Sequence, residues 1–140
     1  MKKIINGKVY DTSTAERLGG WNNNCSTSDF GYCSEDLYRK RTGEFFLFGQ
    51  GNARSRYAKS RGDNEWSSGE KIIPLSYQAA QKWAEDKLNA EQYEAIFGAV
   101  PEDDSRVTIT LSLSASSVER AKRAAAQAGI SLSSYIEGLI

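Results

Sequence analysis

Arg106-Val107-Thr108-Ile109-Thr110-Leu111-Ser112-Leu113-Ser114, then Ala115-Ser116-Ser117-Val118-Glu119-Arg120-Ala121-Lys122-Arg123-Ala124-Ala125-Ala126-Gln127-Ala128-Gly129, then Ile130-Ser131-Leu132-Ser133-Ser134-Tyr135-Ile136-Glu137-Gly138-Leu139-Ile140 carry the most regular patterning in the chain. They hold a period-two run, a period-3.6 run, a glycine stop and a second short helical run, in that order. Val107, Ile109 and Leu111 alternate with Arg106, Thr108 and Thr110, so a strand over 106–112 would carry its polar side chains on one face. Such a strand has nothing to pair with inside the segment, and a lone strand with open edges calls for a second copy.

The first helix is expected from about Ser116 to Ala128, opened by a capping box of Ser116 and Glu119. Its apolar stripe, Val118, Ala121, Ala125 and Ala128, is narrow and made of small residues. Burial of so little area cannot offset the ordering of this many residues, so folding requires dimerisation. The expected dimer core is Val107, Ile109, Leu111, Val118, Tyr135, Ile136 and Leu139, with Leu113, Ile130, Leu132 and Ile140 beside it. The second helix starts at Ser131-Leu132-Ser133, where serine is an ordinary N-cap.

The order strand, helix, glycine, helix, with the Arg-x-Thr-x-Thr face of 106–110 and the Gly-x-Ser-x-Ser of 129–133, resembles a ribbon-helix-helix DNA-binding domain of the Arc/MetJ type. The resemblance covers about a quarter of the chain. It implies that two chains pair their strands into an antiparallel ribbon that enters the major groove of double-stranded DNA, above a four-helix dimer core. Arg106, Thr108 and Thr110 would then face base edges, arginine toward guanine and threonine toward a hydroxyl-compatible edge or a thymine methyl. Ser131, Leu132 and Ser133 would offer backbone N–H groups to a DNA phosphate. The competing reading of the same face is a solvated edge strand in an ordinary α+β domain, since threonine is simply a good strand former.

Upstream, residues 1–100 read as a small α+β domain of antiparallel hairpins plus helices, joined to residues 106–140 by a linker over 101–105 marked by Pro101 and the acidic Glu102, Asp103 and Asp104. Asn6-Gly7 between two apolar-containing runs is the strongest short signal for an opening hairpin. A short helix is expected from Asp11 or Thr12 through Leu18, ended by Gly19 and Gly20, with a polar loop beginning at Trp21. A second hairpin is expected from Asp36 to Gly49 with its turn at Thr42-Gly43. Gln50 to Gly69 reads as one long loop, followed by a strand from Glu70 to Leu75. Ser76 caps a helix from about Tyr77 to Lys87, and Asn89 with Gln92 forms a capping box for another that Gly98 stops. Lys3 to Lys8 and Gly69 to Leu75 resemble segments of small proteins met in gut bacteria and mobile elements, a resemblance that implies no particular activity.

Charge is balanced, with 18 Lys plus Arg against 18 Asp plus Glu, so the overall balance points to no polyanionic partner. Locally, Arg39, Lys40, Arg41, Arg54, Arg56, Lys59 and Arg61 face Glu44 alone among residues 39–61. Arg54, Arg56, Lys59 and Arg61, near Tyr57 and Trp66, suggest a second surface for nucleic acid or for a protein. The alternative is a solvated loop. The chain contains no histidine, which removes the commonest general base and metal ligand.

Cys25 and Cys33 cannot make a four-ligand zinc site without help; the expectation is free thiols in a reducing cytoplasm, since no apolar leader run follows Met1, and the alternative is a disulfide or a shared metal. No run approaches the length of a membrane span. Neither catalytic nor phosphate-cradling motifs are present, so the expectation is no enzyme, no metal and no cofactor. The partners expected are double-stranded DNA, a second copy of the chain and an unidentified protein engaged by residues 1–100. The function expected is a cytoplasmic, homodimeric transcriptional repressor or autoregulator. Two rivals remain: an inhibitor of a host defence enzyme, anti-CRISPR-like, with an autoregulatory DNA-binding tail, and the antitoxin of a toxin–antitoxin pair.

Overall fold

A computed structural model describes residues 1–104 and 106–140. The chain is mixed α+β, with antiparallel sheets and four helices, and it divides into two compact units, Met1–Val100 and Pro101–Ile140. The last residue of the expected linker, Ser105, lies outside the described residues.

The first unit opens with the hairpin of β1 (Lys2–Ile5) and β2 (Lys8–Asp11), paired from Lys2 with Asp11 to Ile5 with Lys8. Asn6 and Gly7 both take positive φ, 50° and 77°, as a tight turn of this hand demands. The helix expected after Asp11 does not form. Asp11 Oδ1 instead accepts from the Ser13 amide at 2.9 Å and hydroxyl at 2.7 Å, a local turn that competes with helix. The chain then enters β3 (Glu16–Asn22), so Gly19 and Gly20 are interior strand residues and Trp21 belongs to the sheet rather than to a loop. Gly19 lets Leu88 pack close, because a Cβ there would lie 3.1 Å from both methyl groups of Leu88 and push them back by a few tenths of an ångström.

β3 pairs with β4 (Cys33–Arg39), β4 with β5 (Phe45–Gly51), and β5 with β8 (Gly69–Leu75), giving an antiparallel sheet in the order β3-β4-β5-β8. The turn at Thr42-Gly43 is where it was expected, but both arms run further than 36–49, from Cys33 to Gly51. Residues 50–69 are not one loop. They hold a small hairpin of β6 (Lys59–Gly62) and β7 (Glu65–Ser67), whose short, almost wholly exposed strands leave no hydrophobic period to read.

Strand alternation gives the sheet two apolar faces. On one, Leu37, Phe45 and Leu47 pack against Ala80, Trp83 and Ala84 of α1 (Tyr77–Lys87), flanked by Tyr93, Ile96 and Phe97 of α2 (Ala90–Phe97). On the other, Phe46 and Ile72 pack against Tyr10 of the opening hairpin, with the Tyr10 and Phe46 rings edge to face at 5.5 Å. Both helices start as their sequences predict: Ser76 Oγ accepts from the Ala79 amide, and Asn89 and Gln92 cap one another reciprocally.

In the second unit, α3 (Ala115–Ala128) and α4 (Leu132–Leu139) are joined through Gly129, which adopts the left-handed φ of 70° that ends a helix. The expected capping box of Ser116 and Glu119 is absent because α3 begins earlier. Ser114 is the N-cap, accepting from the Ser117 amide at 3.2 Å, and Glu119 pairs with Arg123 at 3.6 Å. No strand is formed over 106–112, since a strand is a pairing and no partner ladder for these residues exists among the described residues of the single chain.

Candidate functional site

The alternating segment ahead of α3 leaves its side chains to solvent on both faces. Val107, Ile109 and Leu111 are 61, 70 and 58% exposed, as are Thr108 and Thr110 on the opposite positions. Arg106 is exposed as well, and its Nη1 donates to Glu137 Oε2 of α4 at 3.0 Å. A pair as exposed as this contributes little to stability, yet it sets where the guanidinium sits. Among the remaining residues expected in a dimer core, Val118, Tyr135 and Ile136 are half-buried and Leu139 is exposed. Ala125 alone is buried among the described residues of α3 and α4.

The start of α4 brings Ser131, Leu132 and Ser133 together at one helix end. Ser131 Oγ accepts from the Ser134 amide at 3.1 Å and donates to the Ser134 hydroxyl at 2.9 Å, so its oxygen is committed to capping. The amides of Leu132 and Ser133 belong to the first turn, whose N–H groups have no partner within a helix. They point where an anion would be favoured by the helix dipole.

The four basic residues of 54–61 do not gather into one patch. The Arg54 guanidinium lies 5.7 Å from the Phe30 ring, Arg61 Nε donates to Ser67 Oγ at 2.8 Å, and Lys59 stands exposed on β6. Arg56 stays exposed, its guanidinium 5.4 Å from the Tyr57 ring and within 3.6 Å of Glu35 Oε2.

That carboxylate is the feature that sequence reading missed. Glu35 is 2% exposed in the middle of β4, where Oε1 accepts from Trp83 Nε1 at 3.1 Å and Oε2 accepts from the Tyr57 hydroxyl. The facing strand makes the room: a Cβ on Gly49 would overlap the Tyr57 ring, and one on Gly51 would overlap Ser55. Burial, followed by the hydrogen bond to Glu35, pushes the Tyr57 hydroxyl far above the usual phenol range. Burial and the Glu35 charge likewise push the Cys33 thiol up. Through Tyr57 and Arg56 on one side and Trp83 on the other, this carboxylate fastens residues 56–57 onto the sheet and to α1. The pattern was present in the sequence: Cys33, Glu35 and Leu37 share one face of an alternating strand, opposite the glycines at 49 and 51.

Cys25 and Cys33 are free thiols, the first exposed and the second buried. Among the described residues there is no group of three potential metal-ligating side chains, and no helix is long and apolar enough to cross a membrane. Compared with models of protein families, with curated proteins and with solved structures, the chain gives no match in any of the three.

Proposed function

We propose that the chain is a homodimeric, sequence-specific DNA-binding protein that represses or autoregulates transcription through residues 106–140. The observation that carries this reading is the exposed apolar row Val107, Ile109, Leu111 and Leu113, placed directly before a two-helix unit that buries almost nothing of its own. Such a row gains backbone partners and burial at once when it pairs with its own copy. Antiparallel pairing of two 106–112 segments completes a ribbon-helix-helix. It places the apolar row on the α3 and α4 side and leaves Thr108, Thr110 and an Arg106 released from its exposed pair with Glu137 on the outer face, where a two-stranded ribbon fits the major groove. Ser131, Leu132 and Ser133 then supply the phosphate anchor at the start of α4.

The test is a mobility-shift titration with the promoter fragment upstream of the gene. The unaltered protein shifts it with an affinity that falls steeply as salt rises. Arg106→Ala and Thr108→Ala each weaken the specific complex by about 1–3 kcal/mol and leave the dimer intact by sedimentation. The reading fails if the unaltered protein gives no salt-sensitive shift.

A further inference from the structure

The sheet face that carries Phe46 and Ile72 continues beyond them along β5 and β8 to Gln50 and Glu70, which sit opposite each other in register. The opening hairpin packs on the apolar end of this face through Tyr10, and the polar end borders a cavity of about 550 Å³. Thr27, Tyr32, Gln50, Asn52, Ser68 and Glu70 line it, with the backbones of Gly51 and Gly69. Its size is that of a small-molecule site.

The cavity wall is held in place by one side chain. Asn52 Nδ2 donates to the carbonyls of Thr27 at 2.9 Å and Asp29 at 2.7 Å, and its amide donates to the Tyr32 carbonyl at 2.9 Å. Nearby, Asn23 Nδ2 donates to the Gly31 carbonyl at 2.8 Å. This irregular wall is therefore pre-organised without belonging to the sheet.

The other polar groups around the cavity are uncommitted. Among the described residues, the Thr27, Tyr32 and Ser68 hydroxyls, the Gln50 amide and the Glu70 carboxylate take no internal hydrogen-bond or ionic partner. The lining holds one acid and no base, which disfavours phosphates and carboxylates. Three hydroxyls and an amide both donate and accept, the carboxylate accepts strongly, and Tyr32 adds an aromatic ring. We propose that this cavity binds a small, uncharged, hydroxyl-rich molecule of the saccharide or cyclic-polyol class. The site stands independently of the DNA-binding reading, because it lies wholly within residues 1–100.

The experiment is an amide-resolved NMR titration of the full chain with glucose, galactose, N-acetylglucosamine and myo-inositol, with spermidine and inorganic phosphate as charged controls. The expected result is saturable shifts centred on Tyr32, Gln50, Ser68 and Glu70 with at least one of the four uncharged probes. Tyr32→Phe and Gln50→Ala should each weaken that probe about tenfold, and Glu70→Gln provides a third variant should either of the first two fail to fold. Thermal midpoints of the free variants stay near that of the unaltered protein, because these side chains make no internal hydrogen bond. Absence of shifts with all four probes, shifts that survive every folded variant, or a stronger response to spermidine or phosphate overturns the proposal.

Discussion

Replacing Glu35 by alanine strips the acceptor from two buried donors at once, the Tyr57 hydroxyl and the Trp83 indole, and leaves Arg56 beside no counter-charge. Each buried donor left without an acceptor costs about 1–3 kcal/mol, while the exposed Arg56 adds little, so urea denaturation of Glu35→Ala should show a loss of about 2–5 kcal/mol. A loss under about 1 kcal/mol, the range of an exposed pair, would mean that the cluster does not fasten residues 56–57. Tyr57 links the same cluster to pH. Its folded pKa is raised above the unfolded one, so its contribution is fully present below the ordinary phenol value of about 10 and is lost as pH rises toward the folded value. Thermal midpoints measured across the alkaline range should fall more steeply for the unaltered protein than for Tyr57→Phe. Glu35 illustrates how much of a site a single chain shows. Its inward register could be read from Cys33 and Leu37, but Tyr57 and Trp83 reach it from separate segments that only the fold brings together.

Elements with a local cause were legible before the structure. The Asn6-Gly7 turn, the Ser76 cap of α1 and the reciprocal Asn89–Gln92 box all depend on neighbours a few residues away, and all three formed where expected. Elements fixed by distant partners were not. Ala15, Glu16, Arg17 and Leu18 read as helix, yet pairing with β4 and the Arg17–Asp36 bridge at 2.9 Å make residues 16–22 a strand. The start of α3 shows a subtler version, since Ser114 and Ser116 are both acceptable caps by type and only backbone geometry chooses. Ser114→Ala should destabilise the second unit by about 0.5–2 kcal/mol, while Ser116→Ala changes it by less than about 0.5 kcal/mol. Circular dichroism melts of the two variants decide between the caps, and equal losses would place the boundary of α3 elsewhere.

At the scale of the whole molecule, the two units differ in how far they are self-sufficient. Residues 1–100 bury aromatic and aliphatic side chains on both faces of their main sheet, whereas residues 101–140 bury Ala125 alone among their described hydrophobic residues. A chain truncated after Val100 should therefore sediment as a folded monomer, and the full chain as a dimer. A truncated chain that remains dimeric would remove residues 106–112 from the role of main pairing element. The narrow small-residue stripe of 118–128 pointed to this difference in the sequence, whereas the two-faced core of residues 1–100 depends on contacts between distant segments. The uncovered row from Val107 to Leu113 also bears on the lifetime of the protein. Proteases take their substrates as unpaired, strand-like segments with apolar side chains, and an unpaired 107–113 offers that form until a second chain covers it. If two chains pair through this segment as proposed, turnover depends on concentration: a scarce protein is cut at its own pairing segment and an abundant one is sheltered.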